Sequence, residues 1–144
     1  MTRYLLDTNI VSDAVKPRPM PAITRWVAGQ LSSDLFIATL TVAELWRGIL
    51  QRAPGQRQHQ LFAWFVGPNG PQHLFRNRIL AFDLAAGMEW ARIMAEGSLA
   101  GRPRGGIDMI IAATAVAHGC VVVTGNERHF EGVVEFLNPL RVAI

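Results

Sequence analysis

The chain has 144 residues, of which 50% are hydrophobic, and a formal net charge of +3. This length fits one domain of about 100–150 residues, so we expect residues 1–144 to form a single domain. The apolar content suffices for a buried core and excludes a disordered chain. No apolar run approaches the roughly 20 residues that a membrane-spanning helix needs, and Asp7 and Asp13 interrupt any secretory-signal pattern. A lone Cys120, unable to form an internal disulfide, favours a reducing cytoplasmic location.

The type of cationic residue carries more information than the net charge does. Lys16 is the only lysine among 14 cationic residues, and the others are arginines. The planar guanidinium group suits phosphate oxygens, so the composition permits a nucleic-acid partner. A GC-rich coding bias would produce the same excess of arginine, and composition therefore leaves the two explanations open.

Five short apolar runs, rich in β-branched and aromatic residues, are predicted strands. In chain order they are Arg3–Leu6, Leu35–Ala38, Ile79–Phe82, Val121–Thr124 and, as the weakest, Val134–Leu137. None of them alternates cleanly between polar and apolar residues. Continuous apolar strands are typical of a parallel sheet that helices cover on both faces.

Segments with helical spacing of apolar residues lie between these strands. They are Ile10–Val15, Pro21–Leu31, Thr41–Gln51, Gln56–Val66, a long segment that Asp83 caps and that passes Met94, and Ile107–His118. This alternation predicts an α/β fold with a mainly parallel sheet between helical layers. In such sheets, ligands bind at the carboxyl ends of the strands.

Polar side chains follow several of the predicted strands. Asp7 ends the first strand, and Glu44 lies in the first turn of the helix after the second. Asp108 lies in the first turn of the helix after Gly105 and Gly106, whereas Thr124 and Asn126 follow the fourth strand. These positions predict that three acids and an amide gather at one edge of the sheet.

Each of these residues also has an ordinary structural explanation. Asp7 can cap a helix, and Glu44 completes a capping box with Thr41. The helix dipole favours Asp108 in a first turn, and Asn126 is a common turn residue. As a group they are harder to explain in this way. Clustered carboxylates repel each other unless a divalent ion such as Mg²⁺ or Mn²⁺ neutralises them, and such an ion can activate water.

Four segments together resemble PIN-domain ribonucleases, and most of all the bacterial VapC-type toxins with their FitB-like members. The segments are Leu5–Asn9, Thr41–Leu45 with Arg47 and Gly48, Asp108–Ala113, and Val123–Asn126. The resemblance extends over essentially the whole chain. It implies a PIN-like three-layer α/β fold in which helices flank a mainly parallel five-stranded sheet.

The resemblance also implies a function: an endoribonuclease toxin that depends on Mg²⁺ or Mn²⁺. By this analogy the catalytic residues are Asp7, Glu44, Asp108 and Asn126. The metal-binding residues are Asp7, Asp108 and Glu44, of which Asp7 and Asp108 are the direct ligands. Thr8, Asn9 and Thr124 would orient the carboxylates. The implied partners are the RNA substrate, a second copy of the chain in a homodimer, and a small cognate antitoxin that can join a larger assembly.

Two positions depart from the family pattern. Many members have an acid where Asn126 stands, and commonly an aspartate where His129 stands. Asn126 can still bind through its carbonyl oxygen, but it adds no charge. We interpret His129 as a structural residue or as a contact for RNA or the antitoxin, and less readily as a proton-transfer group. Arg47 either pairs with Glu44 on the helix surface or contacts RNA phosphate or an antitoxin carboxylate.

Other interpretations fit less well. A receiver domain needs a lysine late in the sheet, and a haloacid-dehalogenase-type phosphatase needs an acid at position 9, where Asn9 stands. The remaining alternative is a PIN-like module that binds RNA or protein without cleaving it. The tryptophans have helical apolar spacing, which favours core or dimer-interface positions over base stacking. They are Trp26, Trp46, Trp64 and Trp90.

Overall fold

The structure is a computed structural model and describes residues 1–142; residues 143–144 of the expected single domain lie outside this part. The strands are β1 Arg3–Leu6, β2 Leu35–Ala38, β3 Ile79–Leu80, β4 Cys120–Val123 and β5 Phe136–Leu137. The helices are α1 Thr8–Asp13, α2 Pro21–Ala28, α3 Thr39–Leu50, α4 Gln56–Val66, α5 Pro71–Leu74, α6 Leu84–Leu99 and α7 Ile107–Ala117. Short 3₁₀ turns cover Ser32–Asp34, Glu127–His129 and Pro139–Arg141.

The five strands form one sheet in the order β3-β2-β1-β4-β5. Every neighbouring pair is parallel, so the sheet predicted as mainly parallel is parallel throughout. The pairing of β1 with β4 is the longest, since it joins all four residues of β1 to residues of β4. Because all strands run the same way, their carboxyl ends share one edge, where Asp7 and Thr124 follow β1 and β4.

Helices cover both faces of the sheet, which confirms the three-layer α/β prediction. One buried cluster packs α1, α3 and α4 against the sheet, around residues such as Leu6, Ile37 and Phe65. The other packs α6 and α7 against the opposite face, around residues such as Leu5, Ile93 and Phe130. Alternate residues of β1 thus enter opposite cores, which explains why its sequence is continuously apolar. No helix within residues 1–142 combines the length and apolarity that crossing a membrane requires.

The element boundaries differ from prediction where backbone hydrogen bonding overrides the apolar pattern. The third and fifth strands shrink to Ile79–Leu80 and Phe136–Leu137, and the fourth ends before Thr124. The first helix covers Thr8–Asp13 rather than Ile10–Val15, because Asp7 caps it. The third helix begins at Thr39 rather than Thr41, so Thr41 is a buried residue of its first turn. The second helix ends at Ala28 rather than at Leu31, and the short helix α5 was not predicted.

The tryptophans follow the prediction of packing roles in most cases. Trp26 meets Tyr4 edge-on with ring centroids 5.0 Å apart, and Trp46 stacks on Phe65 at 5.1 Å. Trp64 is partly buried against the first core cluster. Trp90 differs, because it is 38% exposed on α6.

Phe130 belongs to the second core cluster and directly follows His129. Replacing it tests how strongly this core supports the turn that carries His129. The Phe130 side chain is fully buried, and its backbone N–H donates to Glu127 O at 2.9 Å. We expect Phe130→Ala to lower the free energy of unfolding by about 3–5 kcal/mol, because it removes a buried ring and leaves a cavity. Phe62→Ala, at a half-exposed ring on α4, is the matched control and should cost far less. Urea unfolding of both variants measures the difference; equal losses would contradict this packing.

Candidate active site

Asp7 occupies the junction between β1 and α1. Its backbone N–H continues the β1–β4 pairing by donating to Val123 O at 2.9 Å. Its backbone is extended, so it serves as the N-cap of α1, and its Oδ1 accepts from the Thr8 N–H at 2.8 Å. The residue is only 3% exposed. The predicted capping role is therefore confirmed, and it places a buried carboxylate at the carboxyl edge of the sheet.

The second carboxylate oxygen of Asp7 connects β1 to the end of β4. Asp7 Oδ2 accepts from Thr124 Oγ1 and from Asn9 Nδ2, each at 2.9 Å. Asn9 Oδ1 in turn accepts from the Gly125 N–H at 3.0 Å. These bonds close a ring across the two central strands. Asn9 and Thr124 thus fix the orientation of the Asp7 side chain.

Glu44 joins this network through Thr8. Thr8 Oγ1 donates to Glu44 Oε1 at 2.5 Å and links α1 to α3. The capping box predicted between Thr41 and Glu44 is wrong, since α3 begins two residues earlier and its N-cap, Ala38, has no capping side chain. Glu44 is therefore free of that local role and faces α1.

Asp108 has a partner that the sequence did not reveal. It lies in the first turn of α7, and its Oδ2 is 2.5 Å from Nδ1 of His129. The side chains remain accessible, with 32% of Asp108 and 50% of His129 exposed. This contact forms because the turn after β4 brings His129 over the start of α7. His129 thus lies beside the acids and holds one of them.

The carboxylates influence one another electrostatically. Burial raises the pKa of Asp7 above its usual range, and repulsion from Asp108 and Glu44 raises it further. Hydrogen bonds from the Thr124 hydroxyl and the Thr8 N–H oppose this rise in pKa, because they favour the ionised form. Asp7 is therefore a carboxylate whose negative charge is disfavoured as long as no cation is nearby.

The donor set fits a hard divalent cation, although residues 1–142 hold no group of three chelating side chains already in place. Oxygens of Asp7, Glu44 and Asp108 are ligands that Mg²⁺ and Mn²⁺ accept, often through water. Two of these acids instead bind neighbours, Glu44 through Thr8 and Asp108 through His129. The repulsion that raises the Asp7 pKa is what a cation would relieve.

Within residues 1–142, two predicted site residues contribute no side-chain contact to this network. The Asn126 backbone N–H donates to Thr124 Oγ1 at 2.9 Å, but the residue is exposed. Arg47 is exposed on α3, and the ion pair weighed between Arg47 and Glu44 is absent from the ion pairs of residues 1–142.

One acidic residue beside the site escaped sequence analysis. Glu127 accepts from Asn138 Nδ2 at 3.0 Å and lies 3.2 Å from an Arg141 guanidinium nitrogen. It follows Asn126 directly in the sequence. Its two partners hold it in a polar cavity of about 340 Å³ that His129 also lines. The sequence signal that could have identified Glu127 is its position directly after Asn126.

Taken together, these contacts define a parallel α/β protein with clustered carboxylates at the carboxyl edge of its sheet. The family model of the PIN domain matches residues 4–135. The chain therefore belongs to the PIN-domain family.

Named relatives agree with this assignment. The VapC ribonuclease Y4jK of Sinorhizobium fredii is 35% identical over 136 residues, which cover 94% of this chain and 96% of the relative. The toxin FitB of Neisseria gonorrhoeae is 31% identical over 136 residues, with the same coverage of 94% and 96%. Among solved structures, FitAB bound to the IR36 DNA fragment has a TM-score of 0.88 at 28% identity and covers 98% of each chain.

The raised pKa of Asp7 leads to a pH-dependent prediction. In the metal-free protein the folded state favours protonated Asp7, so its contribution to stability is present at low pH and is lost as pH rises through the folded-state pKa. Asp7→Asn has no such titration. With EDTA present, we expect the stability of Asp7→Asn minus that of the natural protein to be greater at pH 7 than at pH 4. Urea unfolding at both values measures it, and a pH-independent difference would contradict the raised pKa.

Proposed function

We propose that this protein is a metal-dependent endoribonuclease toxin that cleaves RNA phosphodiester bonds and is neutralised by a cognate antitoxin. The observation that carries the proposal is the buried Asp7 carboxylate, held by Thr124 and Asn9 and repelled by Asp108 and Glu44. A structural N-cap needs none of these neighbours. The named relatives include a VapC ribonuclease and a toxin over nearly the full length of this chain.

In the proposed mechanism, Asp7 and Asp108 would hold Mg²⁺ or Mn²⁺, with Glu44 and Asn126 beside them. When bound, the ion would lower the pKa of water and stabilise negative charge on the phosphate. Asn9 and Thr124 keep the Asp7 oxygens in a fixed orientation. Thr8 orients Glu44 by donating to one of its oxygens, and this carboxylate would position the attacking water beside the phosphate. Asp108, oriented by His129, completes the negative surface.

The assembly partners form a second part of the proposal. The similar solved structure contains FitAB on DNA, and the relative FitB is a toxin. We therefore expect this chain to bind a small antitoxin that inserts a segment into the acidic groove. By the same family resemblance we expect a homodimer. Arg47, exposed on α3, and His129 are proposed contacts for RNA or for that antitoxin.

Replacing Asp7 tests catalysis directly. We expect purified protein to cleave single-stranded RNA with Mn²⁺ or Mg²⁺ and Asp7→Asn to lose at least about a thousandfold in rate, because several kcal/mol of charge stabilisation depend on the ion that Asp7 holds. Gel analysis of end-labelled RNA measures the rate. Asp34→Asn makes the same chemical change before β2, at the opposite edge of the sheet, and should keep full activity.

Circular dichroism must show that Asp7→Asn remains folded in this experiment. If Asp7→Asn cleaves RNA as fast as Asp34→Asn does, Asp7 is not catalytic. If the natural protein binds RNA without cleaving it under either metal, the chain is a binding module, the alternative that its sequence left open.

Metal binding has a separate, non-catalytic readout. A cation that binds only the folded state stabilises it by about 2.7 kcal/mol at a hundredfold excess over its Kd. We expect millimolar Mn²⁺ to raise the melting temperature of the natural protein and of Asp34→Asn by several degrees. Asp108→Asn should show a clearly smaller rise. Identical melting curves with Mn²⁺ and with EDTA would contradict the proposed ligands.

A further inference from the structure

A short turn after β5 lies against the loop that follows β4. It consists of the 3₁₀ turn Pro139–Arg141 and its N-cap Asn138, which directly follows β5. Asn138 Oδ1 accepts from the Leu140 N–H at 3.0 Å, so this turn has a side-chain cap of its own. We call residues 138–141 the β5 turn, and the loop that it touches, residues 124–130, the β4 loop.

Glu127 joins the β4 loop to the β5 turn through both of its carboxylate oxygens. Oε2 accepts from Asn138 Nδ2 at 3.0 Å, and Oε1 lies 3.2 Å from Arg141 Nη1. The Glu127 side chain is only 17% exposed, whereas that of Arg141 is 75% exposed. Because exposed ion pairs contribute little, the half-buried contact with Asn138 is the stronger of the two constraints. Together the two contacts give the Glu127 carboxylate a fixed orientation.

The backbone of Glu127 begins the 3₁₀ turn Glu127–His129. Its carbonyl oxygen accepts from the Phe130 N–H at 2.9 Å and from the Glu131 N–H at 3.0 Å. The buried Phe130 ring attaches the end of this turn to the core. At its start the N-cap residue, Asn126, makes no side-chain capping bond. The Glu127 side chain therefore fixes the start of a turn that lacks a cap.

His129 ends this turn and carries its position over to the active site. His129 Nδ1 is 2.5 Å from Asp108 Oδ2, and both side chains are too exposed for burial alone to fix them. Groups that hydrogen-bond a metal ligand and orient it typically change metal affinity or activity by about 10–100-fold when they are removed. The orientation of Asp108 thus depends on His129, and that of His129 depends on the turn that Glu127 begins.

We propose that Glu127 is a positioning residue of the active site. Through its contact with Asn138 it holds the turn that places His129 against Asp108, and in this role it touches neither RNA nor the ion. The inference rests on the proposed metal-dependent cleavage. It adds to that function a residue outside the acidic cluster and makes the β5 turn a support of the site.

The contacts of Glu127 disfavour the other role that a carboxylate could have here, which is to bind the ion directly. Both of its oxygens already have partners, and one partner is the cationic Arg141. Within residues 1–142, no group of three chelating side chains includes Glu127. Asp7 differs, because repulsion from neighbouring acids opposes its charge and a cation would relieve that repulsion.

Asn138→Asp tests the contact with almost no change of shape. It keeps an oxygen that can cap Leu140 but sets a second carboxylate against Glu127. We expect Mn²⁺ binding to weaken about tenfold and kcat for RNA cleavage to fall by a similar factor at unchanged KM, because Asp108 loses its fixed orientation. Electron paramagnetic resonance of free Mn²⁺ measures the Kd. An added negative charge alone would strengthen Mn²⁺ binding, so the direction of the change identifies its cause.

The matched control for this variant is Asn77→Asp. It makes the same chemical change at an exposed residue before β3, at the opposite edge of the sheet. The Mn²⁺ Kd, kcat and KM of this control should equal those of the natural protein. Thermal melting verifies that every variant is folded.

Exchanging donor and acceptor tests whether the contact itself matters. In the double variant Glu127→Gln with Asn138→Asp, the new amide can donate to the new carboxylate, so the hydrogen bond forms in the opposite direction. We expect Mn²⁺ affinity and kcat to recover to within about threefold of the natural values, as coupled neighbours do. A double variant that remains as impaired as Asn138→Asp would contradict the proposal.

A His129→Ala background tests the route from Glu127 to Asp108. We expect His129→Ala alone to weaken Mn²⁺ binding about tenfold. Adding Asn138→Asp to it should weaken binding no further, because the side chain through which Glu127 acts is gone. If the two losses add instead, Glu127 does not act through His129 and the proposal is overturned.

The outcomes separate this inference from the proposed function. If the natural protein binds Mn²⁺ and cleaves RNA while Asn138→Asp behaves as Asn77→Asp does, the positioning role is wrong and the nuclease stands. If Asn138→Asp raises KM and leaves kcat unchanged, the β5 turn contacts RNA and the positioning role is again wrong. If the natural protein neither binds Mn²⁺ nor cleaves RNA, the proposed function fails and this inference fails with it.

Discussion

The hydrogen-bonded ring around Asp7 is the constraint on which the site depends. A buried carboxylate is costly unless its oxygens have partners, and here the Thr8 N–H, Asn9 and Thr124 supply them. Two of these partners lie within α1 and the third follows β4. The central β1–β4 pairing therefore determines both the core of the sheet and the orientation of the Asp7 side chain. A shift in register of either strand would remove the Thr124 bond.

Each of the other two acids makes one side-chain contact within residues 1–142. Glu44 is joined through the Thr8 hydroxyl, and Asp108 is held from the far side by His129. Each contact orients one oxygen, and among residues 1–142 the second oxygen accepts no side-chain hydrogen bond. This arrangement keeps the carboxylates near one another in spite of their repulsion, which is evident in the raised pKa of Asp7. The side-chain contacts of this site thus hold the carboxylates together against their mutual repulsion.

A cavity beside Glu44 follows from the helical repeat of α3. Glu44, Gly48 and Arg52 are four residues apart and all line it, and Gly48 leaves the space between the other two open. The arrangement of these three residues depends only on the helical repeat of α3. Position along one helix therefore couples an acidic site to a cationic one.

Much of this could be predicted from the sequence. Continuous apolar strands between amphipathic helices predict a parallel α/β sheet, and the rule that ligands bind at the carboxyl ends of strands identifies Asp7, Glu44, Asp108 and Thr124 as one group. These predictions succeed because strand burial and helix capping are encoded in residues close in sequence. The ends of the short edge strands β3 and β5 were less predictable, since their pairing depends on neighbours far along the chain.

Only the tertiary structure decided which partner each acid has. The contact of Asp108 with His129 joins residues 21 positions apart, and that of Thr8 with Glu44 spans 36 positions. It also showed that Thr41 caps nothing and that Arg47 forms no pair with Glu44 among the described residues. The sequence by itself determined the fold class and the acids at the edge of the sheet, because both follow from local patterns. Their hydrogen bonds and the cavity beside them depend on how α1, α3, α4 and the turn after β4 pack, and no local pattern records that packing.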